Sequence, residues 1–233
     1  MNILAVDTSS KKLCLGLSNH KGNIIEYNLD SGIRHAELLL PTIRKALRHL
    51  QLSLEKIDYF AVGLGPGSFT GLRIGLSLIK GFALALKKPV IGLPDLDVIA
   101  SNAISTNSKV ICPLVDAKRN LIFTALYEVG SNDKLKRKSP YLLINIEDLL
   151  KRLKSYKLVT FLGDGLYVYQ QRLNQRVKKS IFLNEDTWYP RARNLIELAS
   201  ELFEKGKISQ PSKIKPIYLY PKECQIKDAE SRR

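Results

Sequence analysis

The sequence is poor in the residues that build covalent and metal-bound frameworks: 233 residues contain 3 cysteines, 3 histidines, one methionine and one tryptophan. Cys14, Cys112 and Cys224 are odd in number and far apart, and the first two sit in apolar, strand-like runs. They read as small core residues or free thiols, which excludes a disulfide framework and a zinc site. Low-complexity linkers are missing, and no stop-transfer segment is visible. The most apolar stretch, residues 71–86, is about sixteen residues long, short for a bilayer span, and it carries Arg73 and Lys80. With Ile3-Leu-Ala-Val6 reading directly as a strand and no signal peptide before it, a soluble cytoplasmic chain without a membrane segment is expected.

Acidic residues are also scarce: 22 against 37 Lys and Arg, for a formal net charge of +15 and a pI near 9.7. The excess is uneven, with 12 basic and 8 acidic residues in 1–105 against 25 and 14 in 106–233. Its clusters are Lys134-Leu-Lys-Arg-Lys138, Lys151-Arg-Leu-Lys-Ser-Tyr-Lys157, residues 172–179 and Arg191-Ala-Arg193. Such patches track a phosphate backbone by releasing counterions, although a solvated, lysine-rich surface accounts for them equally. Few aromatics interleave them, Tyr156 inside one and Tyr167 and Tyr169 before another, which suits phosphate neutralisation better than base stacking.

Glycine, by contrast, is concentrated. Gly63-Leu-Gly-Pro-Gly-Ser-Phe-Thr-Gly-Leu-Arg-Ile-Gly75 places five glycines in thirteen positions between an expected strand and an expected helix. One reading is a phosphate cradle at a helix N-terminus. No Lys follows the last loop glycine as a Walker loop requires, and the spacing does not fit a dinucleotide fingerprint. The other reading, favoured here, is a tight turn capped by Thr70, then a helix whose small residues admit another backbone. Gly71 and Gly75 are four apart, and Ser77, Gly81 and Ala85 form a second row at the same spacing.

Apolar residues lie at nearly every angle around the 71–86 helix, and a wide arc of them covers residues 35–50, where Pro41 predicts a kink or a helix beginning near Leu40. Two such helices in succession point to a partner interface. Strands at 3–6, 13–18, 23–29, 58–63 and 90–92, with a helix opening at Pro94, complete the order βββαβαβα. The pattern then restarts. Val110-Ile-Cys-Pro-Leu-Val-Asp116 can be laid on Ile3-Leu-Ala-Val-Asp7, so Asp116 falls on Asp7. A helix at 146–153, a strand at 158–163, the turn Gly163-Asp-Gly165 and a helix at 191–205 follow. The expected organisation is two duplicated α/β lobes, residues 1–105 and a shorter, more basic 106–233, divided by a polar turn at 101–108.

At these motifs the chain resembles the bacterial TsaB (YeaZ) family of tRNA threonylcarbamoyladenosine biosynthesis. Ile3-Leu-Ala-Val-Asp-Thr-Ser9, His35-Ala-Glu-Leu-Leu-Leu-Pro41 and above all Gly65-Pro-Gly-Ser-Phe-Thr-Gly-Leu-Arg-Ile-Gly75 carry the likeness, extended by Lys80-Gly-Phe-Ala-Leu84, Val115-Asp-Ala-Lys118 and Pro216-Ile-Tyr-Leu219. It covers the whole chain, strongly to about residue 125 and thinly beyond. The resemblance implies the ASKHA fold of actin, Hsp70 and sugar kinases, and a non-catalytic subunit. That subunit pairs with the catalytic TsaD to support threonylcarbamoyl transfer to adenosine 37 of tRNAs that read ANN codons. TsaE joins the pair and TsaC supplies the adenylate; ATP and metal belong to partner subunits, and this chain alone binds none. The implied TsaD surface, or homodimer surface in its absence, comprises His35, Leu39, Ile43, Leu47, Leu72, Arg73, Gly75, Ile79 and Phe82, and Lys136, Arg137 and Lys138 are candidate tRNA contacts.

TsaD-like relatives carry a His-x-x-x-His metal pair in the region that here reads Val90-Ile-Gly-Leu-Pro-Asp-Leu-Asp-Val-Ile99, and His20, His35 and His49 form no such pair. Asp95 and Asp97 read as dipole-stabilising residues at a helix start rather than as metal ligands. The rival is an ATP-dependent ASKHA kinase or hydrolase using Asp7 and Asp116 with magnesium. A peptidase would need a Ser or Cys nucleophile paired with a His, and the sequence displays no such pairing.

Overall fold

The computed structural model describes residues 1–32, 34–106, 109–130 and 134–220; Cys224 and part of the expected 101–108 boundary lie outside them. The first half runs β1 (Ile3–Asp7), β2 (Lys12–Ser18), β3 (Ile24–Asp30), α1 (His35–His49), β4 (Tyr59–Gly63), α2 (Phe69–Leu86), β5 (Val90–Leu93) and α3 (Asp95–Ser101). The second runs β6 (Val110–Lys118), β7 (Leu121–Thr124), β8 (Tyr127–Val129), β9 (Leu135–Arg137), β10 (Leu142–Ile144), α4 (Ile146–Leu153), β11 (Val159–Leu162), α5 (Leu166–Arg176), β12 (Ser180–Phe182) and α6 (Ala192–Glu204).

The duplication is topological. The first sheet has the order β3-β2-β1-β4-β5 and the second β10-β7-β6-β11-β12, with β8 and β9 added at the side. In both, the first two strands pair antiparallel and the last three run parallel. This is the ASKHA architecture, an α/β fold. It includes α5 and β12, which have no counterpart among the sequence expectations. Helix α5 carries Tyr167, Val168 and Gln171 on an open side, so its apolar period is weak.

Strand β1 is buried on both faces, and its period of two divides the core. Leu4 and Val6, with Phe60 and Val62 of β4, face α1 and α2, where Leu39, Ile43, Leu76 and Ile79 cover them. Ile3 and Ala5, with Tyr59 and Ala61, face α6, whose Leu195, Ile196 and Ala199 cover them. Tyr59 stacks on Phe203 at 4.4 Å, and Gly16 on β2 leaves room for Ala192 and Ile196. Helix α6, assigned from the sequence to the second lobe, thus lies on the first sheet. Helix α3 does the converse: Leu96, Ile99 and Ala100 join the core of the second sheet, and Asp97 accepts hydrogen bonds from Tyr127 (2.6 Å) and Tyr141 (2.8 Å).

Helix α1 runs unbroken through Pro41, with neither a late start near Leu40 nor an interruption. Helix α2 is longer than expected, at 18 residues, and meets the length and hydropathy of a bilayer span, yet Leu72, Leu76, Ile79 and Ala83 are buried against the first sheet.

Candidate functional site

Because β1, β4 and β5 are adjacent and parallel, their carboxyl ends bring Asp7, Gly63 and Asp95 to one edge of the first sheet, where ligands bind in open α/β sheets. Here the edge is roofed. The turn after β1 lies under the start of α2: Thr8 Oγ1 donates to the Gly71 carbonyl at 2.6 Å and accepts from the Gly75 N–H at 3.1 Å, while the Ser9 carbonyl accepts from the Ser68 N–H at 2.7 Å. A Cβ on Gly71 would strike the Thr8 carbonyl, one on Gly75 the Thr8 hydroxyl, and one on Gly67 would lie 2.5 Å from the Ser9 carbonyl. The glycines therefore admit a neighbouring backbone, as expected, but the neighbour is the chain's own first turn. The cap of α2 is Ser68, whose hydroxyl accepts from the Gly71 N–H, and not Thr70, which already lies inside the helix.

Under this roof two carboxyls face each other. Asp7 and Asp95 are each 1% exposed. Asp7 Oδ1 accepts from the N–H and hydroxyl of Ser9, and Asp95 Oδ1 accepts from the Gly65 N–H at 2.9 Å. Both Oδ2 atoms are buried without an N–H or hydroxyl donor, and a Cβ on Gly63 would strike both side chains. Burial, then the adjacent Asp7 charge, hold Asp95 well above the ordinary carboxylate range. Asp95 is therefore more than a dipole-stabilising residue. Its helix-start position gave no other signal; the strand order that sets it beside Asp7 is what assigns the role.

The corresponding Asp116 is half-exposed and held within its own turn by the Lys118 N–H and ammonium, while its backbone N–H donates to Asp164 at 2.9 Å. Lys11, just after the first turn, reaches across to Glu185 at 3.2 Å between the rings of Tyr167 and Tyr189, at 5.5 and 5.4 Å. The segment just after the first Asp-ended turn is thus tied to the connection after β12 through a lysine, two tyrosines and a glutamate. Among the described residues no group of three or more His, Cys, Asp or Glu side chains is arranged to hold a metal.

The residues assigned to a partner surface lie on α1 and α2, but mostly beneath them. His35, Leu39, Ile43, Leu72, Gly75 and Ile79 are buried, and His35 Nε2 contacts the Ser31 hydroxyl at 3.1 Å. Leu47 and Phe82 are half-buried and Arg73 is exposed, its guanidinium 3.8 Å over Phe69. The wide apolar arc read from the sequence is two surfaces: one on the sheet, and an outer one with Leu40 (41% exposed), Leu84 (60%), Ser77 and Gly81. Of the basic trio, Lys138 pairs with Glu128 at 3.0 Å, Arg137 lies 3.8 Å over Tyr141, and Lys136 points free among the described residues.

Residues 30–230 match the family model described as TsaD: tRNA N6-adenosine threonylcarbamoyltransferase. The chain is 28% identical over its full length, and that of the relative, to the tRNA threonylcarbamoyladenosine biosynthesis protein TsaB of Bacillus subtilis. It is 27% identical to TsaB of Escherichia coli, with 94% of each chain covered. A Pseudomonas aeruginosa protein described as similar to peptidase YEAZ has the same fold, with a TM-score of 0.80 and 25% identity over 94% of this chain and 99% of that one. A match over most of the chain, joined to the twice-repeated sheet and the glycine loop packed on its own first turn, means that this protein belongs to the TsaD-type threonylcarbamoyltransferase family, in its TsaB (YeaZ) branch.

Proposed function

We propose that this chain serves tRNA threonylcarbamoyladenosine synthesis as a non-catalytic, cytoplasmic subunit that binds TsaD and keeps it competent for transfer to adenosine 37. The observation that carries this reading is the fate of Asp7. An ATP-dependent ASKHA enzyme needs that carboxylate in the cleft, able to reach a magnesium ion. Here it is 1% exposed, bonded to Ser9 and turned toward Asp95 beneath α2. Asp116 is committed to Lys118, and Lys11, just after the first turn, to Glu185.

The docking half of the proposal is supported by the outer face of α1 and α2. Leu40, Leu84 and the small residues Ser77 and Gly81 leave an uncovered surface that a second helical pair can approach closely, and a Cβ on Gly81 would meet nothing within 4 Å. TsaD is the proposed occupant, a second copy occupies the face when TsaD is absent, and TsaE joins the assembled pair. ATP and metal are proposed to reside on those partners.

The test is co-expression with TsaD followed by size exclusion, together with ATP calorimetry on the isolated chain. A stable heterodimer and no heat of ATP binding are expected. Micromolar ATP affinity that Asp7→Ala abolishes would instead establish the enzyme reading.

A further inference from the structure

The second sheet has a basic corner that none of the functional assignments uses. Its cations come from two sequence clusters about twenty residues apart, joined by the parallel pairing of β11 and β12: Val159 is level with Ser180, and the Val159 N–H donates to the Lys179 carbonyl at 3.2 Å. The residues entering these strands, Lys157 on one side and Lys178 and Lys179 on the other, are therefore neighbours. Lys154, past the end of α4, and Arg176, in the last turn of α5, flank them. All five are exposed, and none has a carboxylate partner among the described residues.

The nearby acids are engaged elsewhere. Glu147 pairs with Arg172 at 2.6 Å and Asp148 with Lys151 at 2.9 Å, both acids lying in the first turn of α4. Helix-end cations ordinarily complement the helix dipole, a role that fits Arg176. Lys157, Lys178 and Lys179 lie in connecting segments, where no dipole calls for them. The exposed large apolar residues, which include Leu40, Phe69, Leu84, Tyr167, Val168 and Ile208, all lie outside this corner. The surface therefore lacks both the apolar anchors of a protein interface and the side chains that insert into a bilayer. A dense, unneutralised and apolar-free patch matches a polyanion bound by counterion release.

We propose that this corner, built from the C-terminal ends of α4 and α5 and the entrances of β11 and β12, docks the phosphodiester backbone of tRNA. The identity of the polyanion rests on the function proposed above; the surface itself rests on the geometry. It positions RNA without reading sequence, since Lys ammonium groups reach phosphates as point charges.

The experiment is fluorescence anisotropy of the full chain, without TsaD, against an ANN-decoding tRNA and a non-cognate tRNA at a series of salt concentrations. Replacing Lys157, Lys178 and Lys179 together with Ser should lower the slope of log affinity against log salt by about 2 to 3 for three lost contacts, alike for both tRNAs. Lys136, Arg137 and Lys138 replaced with Ser form the charge-matched comparison, with a smaller change expected. Equal changes in the two triple variants, an unchanged slope in a corner variant that is folded by circular dichroism, or no tRNA binding by the parent at 50 mM salt would each overturn the proposal. So would loss of binding to anionic lipid vesicles with tRNA binding intact. Failure to co-purify with TsaD leaves these readouts unaffected, so the two proposals fail separately.

Discussion

The hydroxyl of Thr8 and the N–H of Gly75 are bonded at 3.1 Å, in a space that a single added methyl at Gly75 would fill. The glycine loop is therefore an internal joint between the first turn and α2. Gly75→Ala, and more severely Gly71→Ala, which meets backbone rather than a hydroxyl, should destabilise the chain by about 1–3 kcal/mol through overpacking. Urea unfolding measures this. If stability is unchanged and only TsaD affinity falls, the glycine faces the partner after all.

Gly81, on the outside of the same helix, should behave oppositely. Its Cβ direction is open, so Gly81→Arg should gain about 0.5–1 kcal/mol of helix stability. Paired with Leu84→Asp, it should weaken association with TsaD, or self-association, by about 2 kcal/mol, roughly thirtyfold. Thermal melts and sedimentation on one preparation separate the two effects. A folded double variant with full TsaD affinity would remove this face from the interface.

The carboxyl pair predicts a pH dependence with a definite sign. Asp95 is raised above its ordinary value of 3.8 by burial and by Asp7, so in the window above pH 3.8 the folded state holds more protons than the unfolded one. Stability contributed by this group is therefore lost as pH rises toward its folded value. Asp95→Asn keeps an acceptor for the Gly65 N–H, offers Asp7 an N–H and does not titrate. Its profile should be flatter, and at pH 7 it should melt above the parent by roughly 2–4 °C for each kcal/mol recovered. Parallel profiles would show that the pair carries no proton linkage.

Asp97 tests how α3 is held to the second sheet. Tyr127→Phe removes one of the two phenol donors to a half-buried carboxylate and should cost about 1.5–3 kcal/mol. The Tyr127→Phe, Tyr141→Phe pair should be non-additive, because the second loss leaves the charge without a phenol. A double-mutant cycle in urea measures the coupling, and strict additivity would mean that the two tyrosines act independently.

The fold was legible in the sequence wherever an apolar run or stripe is bounded by turn residues. Strands β1, β2 and β4, the bounds of α4 and the Asp7–Asp116 repeat follow from local periodicity and turn residues. What was hidden depends on which surface an element meets. The apolar residues of α1 and α2 are visible in the sequence, but whether Leu39 and Ile79 meet a sheet or a partner is a fact about β1 and β4, distant in the chain. Asp95 finds Asp7 only because β4 lies between their strands. The destination of α6 is equally nonlocal.

That destination has a consequence for synthesis on the ribosome. The first sheet is covered on one side by α1 and α2, which emerge early, and on the other by α6, which is made after every strand of both sheets. Until residues 192–204 leave the exit tunnel, Ile3, Ala5, Tyr59 and Ala61 have an open face, and α3 waits for β6 and its neighbours in the same way. A nascent chain stalled at residue 150 should therefore be protease-sensitive across β1–β5 and prone to chaperone capture, and protection should arrive late and for both sheets together. Neither half is a unit that can be expressed, swapped or shortened alone, because each carries the other's cover.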